Sequence, residues 1–426
     1  MIRCFLLGRF IAPKLMIVST SFLMASGLSA NPKHSDFTTE ELAEIREFSG
    51  EKLNEMLDSL SVDDLPELDA NESYIDADPE AEIKVISTML RNLGGIMKAN
   101  YLSGDDASLE ANQQFPKGSL RMLRDAHPQG LICLDGKMTL YPNDVFGDGL
   151  FSSAQSFDVV SRFSSSSPSL NDDASRDIRG FAVKIKDERV EHDLVAISAP
   201  IFPTDNAKQF GDLVKVVRLT DCWNDPDGLF SCVTDTGLPN PWRLVQSALR
   251  LIRLTTSSED NGLLEKQYFS VSPYKYESAE QKVYFKFHFE PKSCDGASSS
   301  YELVKADEKN YLAENVRKII AQKDVCFDLK LTSIDGKVDS SILETHTKTW
   351  NDMTSDLSEI SLGEIRFSKG TNELDALACD NLSFSPAHTA DGFFGLGSIN
   401  RARSIIYKNL SALRHMTNAK IEAMAQ

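Results

Sequence analysis

The sequence predicts an α+β chain in which helices flank an antiparallel barrel or sandwich. Three observations predict it. Residues 118–300 hold short β-type runs separated by Pro, Gly, Asn and Asp, with no helices regularly between them. Residues 31–110 carry apolar positions at helical spacing. Residues 399–415 contain neither Pro nor Gly and are rich in Ala, Leu, Arg and Lys, which reads as a helix.

Taken in order, residues 1–30 carry Arg3, Arg9 and Lys14 and no acid. An apolar run from Leu15 to Met24 follows, then Ala25-Ser26-Gly27-Leu28-Ser29-Ala30. Basic, apolar and small is the order of a secretory signal peptide, with cleavage expected after Gly27 or Ala30. The run is short for the roughly 20 residues that span a bilayer. The expected location is therefore exported, periplasmic or secreted. No other stretch is long and apolar enough to span a membrane. The 426 residues include 45 Lys and Arg against 63 Asp and Glu, a formal net charge of −18. So acidic a chain is a poor partner for nucleic acid or anionic lipid.

Residues 31–117 read as a helical N-terminal arm. Thr38-Thr39-Glu40-Glu41 fits a capping box, opening a helix with Leu42, Ile45 and Phe48 on one side. Asp63 to Glu82 is acidic and holds two prolines, and is expected to be a mobile link. Asp78-Pro79 then opens a second helix, with Ile83, Ile86, Leu90, Leu93 and Met97 as a packing stripe. Residues 118–426 read as the main domain. Its strand runs are Leu131 to Leu140, Asp158 to Phe163, Phe181 to Ile185, Leu194 to Ile201 and Val283 to Phe289.

Beyond Cys4, the cysteines are Cys133, Cys222, Cys232, Cys294, Cys326 and Cys379. In an exported protein they permit disulfides. Cys222 and Cys232 bracket a turn-rich loop and are the pairing the sequence favours. No Cys-x-x-Cys or His-x-x-x-His spacing suggests zinc.

On the helix at 399–415, Arg403, Tyr407 and Arg414 point within about 40° of one another. A phenol near two guanidinium groups loses its proton more easily, and a phenolate held by arginine is a hard anionic ligand that suits ferric iron. On spacing alone, a solvated surface helix with a half-buried tyrosine is the plainer reading.

Arg-x-x-x-Tyr with Arg seven residues on resembles the proximal helix of the haem catalases. Four more segments extend the resemblance, in the family's order, over about 118–415. They are Arg124-Asp125-Ala126-His127-Pro128-Gln129-Gly130, Val160-Ser161-Arg162-Phe163-Ser164, Arg176-Asp177-Ile178-Arg179-Gly180-Phe181-Ala182-Val183-Lys184, and Asp193-Leu194-Val195 with Pro200 and Phe202. Val283 to Phe289 looks like a later strand of the same family.

The resemblance implies a catalase-like antiparallel β-barrel enclosing haem, with peripheral helices and a C-terminal helix that carries the proximal ligand. It implies haem b with Tyr407 on the iron, tyrosine being the axial ligand of catalase haem. His127 matches the distal histidine that moves a proton between peroxide oxygens, work suited to a neutral imidazole. Ser164 matches the serine that fixes its tautomer. Arg124, Arg162 and Arg414 match arginines that pair with the propionates, where a planar fork favours Arg over Lys. Arg403 matches the arginine that holds the phenolate. Phe210 matches an aromatic on the distal face, and Phe384-Ser385-Pro386 a loop near the proximal side.

Two departures shape the expected activity. Where catalases carry a distal asparagine, this sequence has Ile197, with Ser198 beside it. An apolar side chain donates no hydrogen bond to bound peroxide, so fast disproportionation is not expected. Pro128 after the histidine is unusual for a catalase, and the further helical region that follows Arg414 in ordinary catalases is not carried over. The leading expectation is a peroxidase that takes hydrogen peroxide or an organic hydroperoxide together with a small electron donor. Two alternatives are a fatty-acid hydroperoxide isomerase or dehydratase, and a non-catalytic haem-binding protein. Intact His127 and Ser164 argue against the last.

Overall fold

Strands whose residues alternate between two environments build the central wall of the protein. The computed structural model describes residues 32–102, 119–124, 127–166, 172–175, 177–188, 190–219, 246–247, 249–250, 253–254, 262–294, 311–335 and 337–426. The expected leader at 1–30, the expected Cys222–Cys232 pairing and Arg176 lie outside the described residues. Residues 32–426 form one unit.

The strands are β1 (Gly130–Leu140), β2 (Gln155–Ser165), β3 (Arg179–Ile185), β4 (Asp193–Ile197), β5 (Tyr268–Phe269), β6 (Tyr274–Glu277), β7 (Lys282–Lys292), β8 (Val325–Ile334), β9 (Leu357–Phe367) and β10 (Phe393–Gly395). Each paired strand is antiparallel to its neighbour. The order runs β1-β2-β3-β4-β5-β7-β8-β9, and β9 returns to β1 through Lys137↔Arg366 to Leu140↔Gly363. Eight strands therefore close into a barrel. β6 and β10 branch from β7 beside β5. The barrel and the flanking helices make the α+β fold that the sequence predicts. β8 and β9 come from beyond residue 300, past the run of strands read from sequence.

Alternation decides what fills the barrel. Phe163 of β2 lies opposite Phe181 of β3, which lies opposite Ala196 of β4. Phe163, Phe181, Phe289, Phe327 and Phe367 are fully buried, as is Tyr268. Phe181 stacks on Phe163 at 4.6 Å between centroids and meets Phe289 edge-on at 4.8 Å. The bore is thus filled by aromatic rings packed with aliphatic side chains such as Ile132, Leu329 and Ile365. The residues between them, Arg162, Ser164 and Gly180, face outward from the same wall.

The helices among the described residues include α1 (Thr39–Ser59), α2 (Pro79–Leu102), α3 (Ala207–Leu219), α4 (Tyr311–Ile320), α5 (Ser340–Glu344), α6 (Ala376–Asn381) and α7 (Gly397–Met424). α1 opens as predicted: Thr38 and Glu41 bond each other's backbone N–H groups at 3.2 and 2.7 Å. Ile45, Leu53, Ile86, Leu90 and Met97 bury against Ile405, Ile406, Leu410 and Leu413 of α7. The arm therefore shares a core with the helix that carries Tyr407.

The acidic stretch at 63–82 differs from its expected role as a mobile link. Asp69 is buried and accepts from Lys282 at 2.6 Å and Lys275 at 3.1 Å. Glu72 and Glu82 bond the buried Arg401 at 2.5 and 2.6 Å. A charge-rich segment reads as solvated because carboxylates are rarely buried unless paired. Here each has a partner far along the chain, which local sequence does not reveal.

Candidate active site

The site is assembled from α7 and the outward face of β2, β3 and β4. α7 is long because nothing in it breaks a helix, and its start is held by side chains. Gly397 takes φ +83°, a conformation that costs glycine little. Its N–H donates to Glu72 Oε1 at 2.6 Å, and the Ser398 N–H donates to Glu344 Oε1 at 3.1 Å. Carboxylates thus meet the positive end of the helix dipole.

Within α7, the Arg403 guanidinium lies 5.5 Å from the Tyr407 ring centroid. Arg403 donates to Ser272 Oγ at 3.0 Å and Asn400 Oδ1 at 3.1 Å, and Ser272 donates to Asn400 at 2.8 Å. Burial works against the Arg403 charge, but the Tyr407 and Tyr274 phenols outweigh it and raise its pKa. The arginine is therefore a fixed cation beside Tyr407, while Arg414, the second arginine of the expected face, is engaged by Asp380. Ser272, Asn400 and Tyr274 were not singled out by sequence reasoning.

Across from this helix, His127 Nδ1 lies 3.0 Å from Ser164 Oγ. Arg162 Nη2 donates to the His127 carbonyl at 2.9 Å. His127 holds φ +55°, a left-handed conformation that is uncommon outside glycine. Burial lowers its pKa, and the Arg162, Arg403 and Arg124 charges lower it further, to about 3. The imidazole is neutral across the physiological range, which a proton shuttle requires. The influence of Arg403 on His127 ties the α7 half of the site to the barrel half.

Gly180 makes the His127–Ser164 contact possible. A Cβ there would lie 2.6 Å from His127 Nδ1 and 2.6 Å from Ser164 Oγ. The sequence shows Gly180 only as a glycine inside a β run, which marks close approach of another group. Register extends the row: Ser164↔Gly180, Gly180↔Ile197 and Ile197↔Phe269. Ile197 is thus one strand from Gly180 on the face that bears Ser164. Ser198, its neighbour, accepts from the Arg179 N–H at 2.9 Å, so that oxygen is already engaged.

Arg124 and Arg414 meet at Asp380 of α6. Arg124 Nη1 bonds Asp380 Oδ1 at 3.0 Å, Arg414 Nη1 lies 3.4 Å from Oδ2, and Arg121 Nε donates to Oδ2 at 2.7 Å. Arg162 borders the same cluster. Arg124 and Arg414 lower its pKa on top of the effect of burial, while Asp380 opposes them. Among the described residues, buried Arg162 Nε has no hydrogen-bond partner. The cluster is rich in guanidinium and holds one buried carboxylate. A buried cation needs an anionic partner, so a dianionic ligand fits here, and the two propionates of haem are such a pair. Arg121 and Asp380 belong to this cluster but carried no signal in the sequence.

Phe210 packs on Phe202, 4.9 Å between ring centroids, beside the helical core. Phe384 lies under Lys184 Nζ at 5.8 Å. Its neighbour Ser385 is fixed by its N–H to Asp193 Oδ2 at 2.9 Å. The resemblance gives these two rings their roles; their contacts here are with Phe202 and Lys184.

Barrel wall, imidazole–hydroxyl pair and a tyrosine beside an arginine are the parts of the site that the fold brings forward. Residues 147–421 match the family model described as Catalase. The chain belongs to the catalase family, whose members bind haem. Similar solved structures include a fungal catalase and a bacterial catalase, each with 18% identity and a TM-score of 0.55, covering 68% of this chain. Catalase A from Saccharomyces cerevisiae has 17% identity and a TM-score of 0.54 over the same share. The matched region spans 59%, 57% and 61% of these three chains, in that order. At this identity they bear on the fold alone. No curated protein matches.

Proposed function

We propose that this protein is an exported, haem-dependent peroxidase of the catalase family with weak catalase activity. The observation that carries the reading is the row Ser164–Gly180–Ile197. It sets a proton-moving pair beside an isoleucine.

Arg124, Arg162 and Arg414 would hold the propionates of haem b, and Tyr407, steadied by Arg403, would take the iron. The bound haem supplies the redox chemistry that breaks the O–O bond of a peroxide. Neutral His127 accepts a proton from the near peroxide oxygen and returns it to the far one, so the leaving oxygen departs as water. Ser164 keeps the imidazole in one orientation during that exchange. This acid–base work contributes about 10²–10⁴-fold.

Disproportionation asks more of the pocket than donor oxidation. A second peroxide must be held over the same face while it gives up hydrogen. A donor on the wall beside the His127–Ser164 pair would hold it, and Ile197 supplies none. Such a hydrogen bond to a group developing charge is worth about 1.5–3 kcal/mol. Donor oxidation demands less, because electrons reach the haem edge from outside. The disulfides Cys133–Cys379 and Cys294–Cys326 support an oxidising compartment. No helix among the described residues is long and apolar enough to cross a membrane.

The test is oxygen release against donor oxidation in purified holoprotein. Ile197→Asn should raise oxygen release by about one to two decades and donor oxidation by less. Wild-type oxygen release near the diffusion ceiling of about 10⁸ M⁻¹s⁻¹, or an unchanged ratio in the variant, overturns this reading. A second reading, fatty-acid hydroperoxide isomerisation or dehydration, draws on the apolar neighbours Ile197 and Phe269. Conversion of a fatty-acid hydroperoxide without any added donor would favour it.

A further inference from the structure

The arginines that would meet the propionates are themselves held in place, and the holding device reaches into the barrel. Asp380 is the penultimate residue of α6 and is 2% exposed. Its carboxylate takes Arg121, Arg124 and Arg414. Its carbonyl accepts from Arg124 at 3.0 Å and also from Arg414, and the Leu382 carbonyl accepts from both arginines. Burial alone would raise the Asp380 pKa, but the Arg124, Arg414 and Arg121 charges bring it down to about 2. It is an anion at every working pH.

A helix of six residues does not fix its own position. Asp375 caps its start by accepting from the Ala378 N–H at 2.8 Å. The residue before Asp380, Cys379, is bonded to Cys133 of β1, and both sulfur residues are 1% exposed. In the β1–β2 register Cys133 lies directly opposite Arg162. Cross-strand partners share a face, so the covalent bond meets the wall beside the third arginine. One disulfide thus fixes Asp380 and the 380–382 carbonyls relative to Arg162.

We propose that Asp380, clamped by the Cys133–Cys379 disulfide, is the positioning residue of the carboxylate-binding subsite and sets how firmly haem is retained. This rests on the haem reading given above. Clustered guanidinium groups repel one another. A carboxylate shared between them offsets that repulsion and turns their remaining N–H groups in fixed directions. A ligand then finds the arginines already ordered, and less of its binding energy goes into ordering them. Freed from β1, α6 would let Arg124 and Arg414 separate from Arg162.

The experiment is the rate of haem transfer from purified holoprotein to apomyoglobin, with far-UV circular dichroism as a check on folding. Four proteins are compared: wild type, D380N with both disulfides intact, C133A/C379A, and C294A/C326A as a control for disulfide loss alone. Loss of a residue that orients ligating groups costs about 10–100-fold, so D380N and C133A/C379A should release haem faster by that factor. C294A/C326A should release it at the wild-type rate. If C133A/C379A does not fold, D380N decides. Haem release from D380N at or below the wild-type rate overturns the proposal, since spare positive charge alone would then be holding the ligand. A wild type that takes up no haem overturns the function reading and this inference with it; normal wild-type retention with unaltered D380N overturns this inference only.

Discussion

Gly180 sits where a methyl group would strike two side chains at once. Gly180→Ala must displace His127 or Ser164, each 2.6 Å from the built Cβ. Overpacking of this kind costs about 1–3 kcal/mol. The strand itself accepts alanine, so the fold should survive while both activities fall, by up to the 10²–10⁴-fold of lost acid–base catalysis at roughly the level of His127→Ala. Steady-state kinetics beside circular dichroism would check it; full activity in Gly180→Ala would mean the pair is not used. The neutral imidazole gives a second expectation. His127 protonates only near pH 3, so kcat/KM for peroxide should show no break at the ordinary histidine value, about 6.5. A pH–rate profile with a break there that His127→Ala removes would contradict the assigned environment. Tyr407→Phe should abolish the high-spin ferric tyrosinate absorption of the holoprotein, and an unchanged spectrum would sink the ligand assignment. The contacts of His127 with Ser164 and of Arg403 with Tyr407 were legible because motif and spacing pair them. The left-handed backbone at His127 was not, since nothing in Ala-His-Pro announces it.

At the scale of elements, the start of α7 depends on a segment more than 300 residues earlier in the chain. Arg401 is buried and bonds Glu72 and Glu82, while Glu72 also receives the Gly397 N–H. Removing one partner of such a group strands a buried charge and costs about 3–5 kcal/mol. Glu72→Leu should therefore lower the urea midpoint markedly. Arg401→Met combined with Glu72→Leu and Glu82→Leu should recover much of the loss, because the only carboxylate then left without Arg401 is the more distant Glu344, which keeps its bonds from Ser398. A single Glu72→Leu variant as stable as wild type would show that the arm does not steady this helix. The arm's two helices were legible from the capping box at Thr38 and the stripe from Ile83 to Met97. The pairing of Glu72 and Glu82 with Arg401 was not, because ion pairs across the chain leave no local pattern. Strands tell the same story. β1 and β7 were readable as the runs Leu131 to Leu140 and Val283 to Phe289, the second extending to Lys282–Lys292 in the fold, whereas β5 is only Tyr268–Phe269 and is recognisable only by its partners on β4 and β7. β4 ends at Ile197, short of the predicted Ile201, where Ser198 turns its hydroxyl to the Arg179 N–H.

For the whole molecule, acid should act through histidines kept neutral by burial. Desolvation lowers His192 and His346 to about 4 and, with nearby arginines, His127 to about 3. Each has a folded pKa below its unfolded value, so below about pH 6.5 the unfolded chain takes up protons that the folded chain refuses. Stability is complete above that value and falls as pH drops toward 4. At pH 5 the loss is about 2 kcal/mol for each of His192 and His346. Urea unfolding between pH 8 and 4.5 would check it, and a flat midpoint over that window would contradict the buried, neutral assignments. The closure of the barrel has a kinetic meaning as well. β1 meets β9 across more than two hundred residues, at Lys137↔Arg366 to Leu140↔Gly363, and the Cys133–Cys379 link spans 246. Contacts this distant in sequence form slowly. His127 precedes the first strand of the ring and Tyr407 follows the last, so neither half of the site exists as a pocket until the seam is shut. On the haem reading proposed above, assembly of the ring would be the step that gates cofactor capture, and a chain that has not finished folding would offer haem nothing to hold.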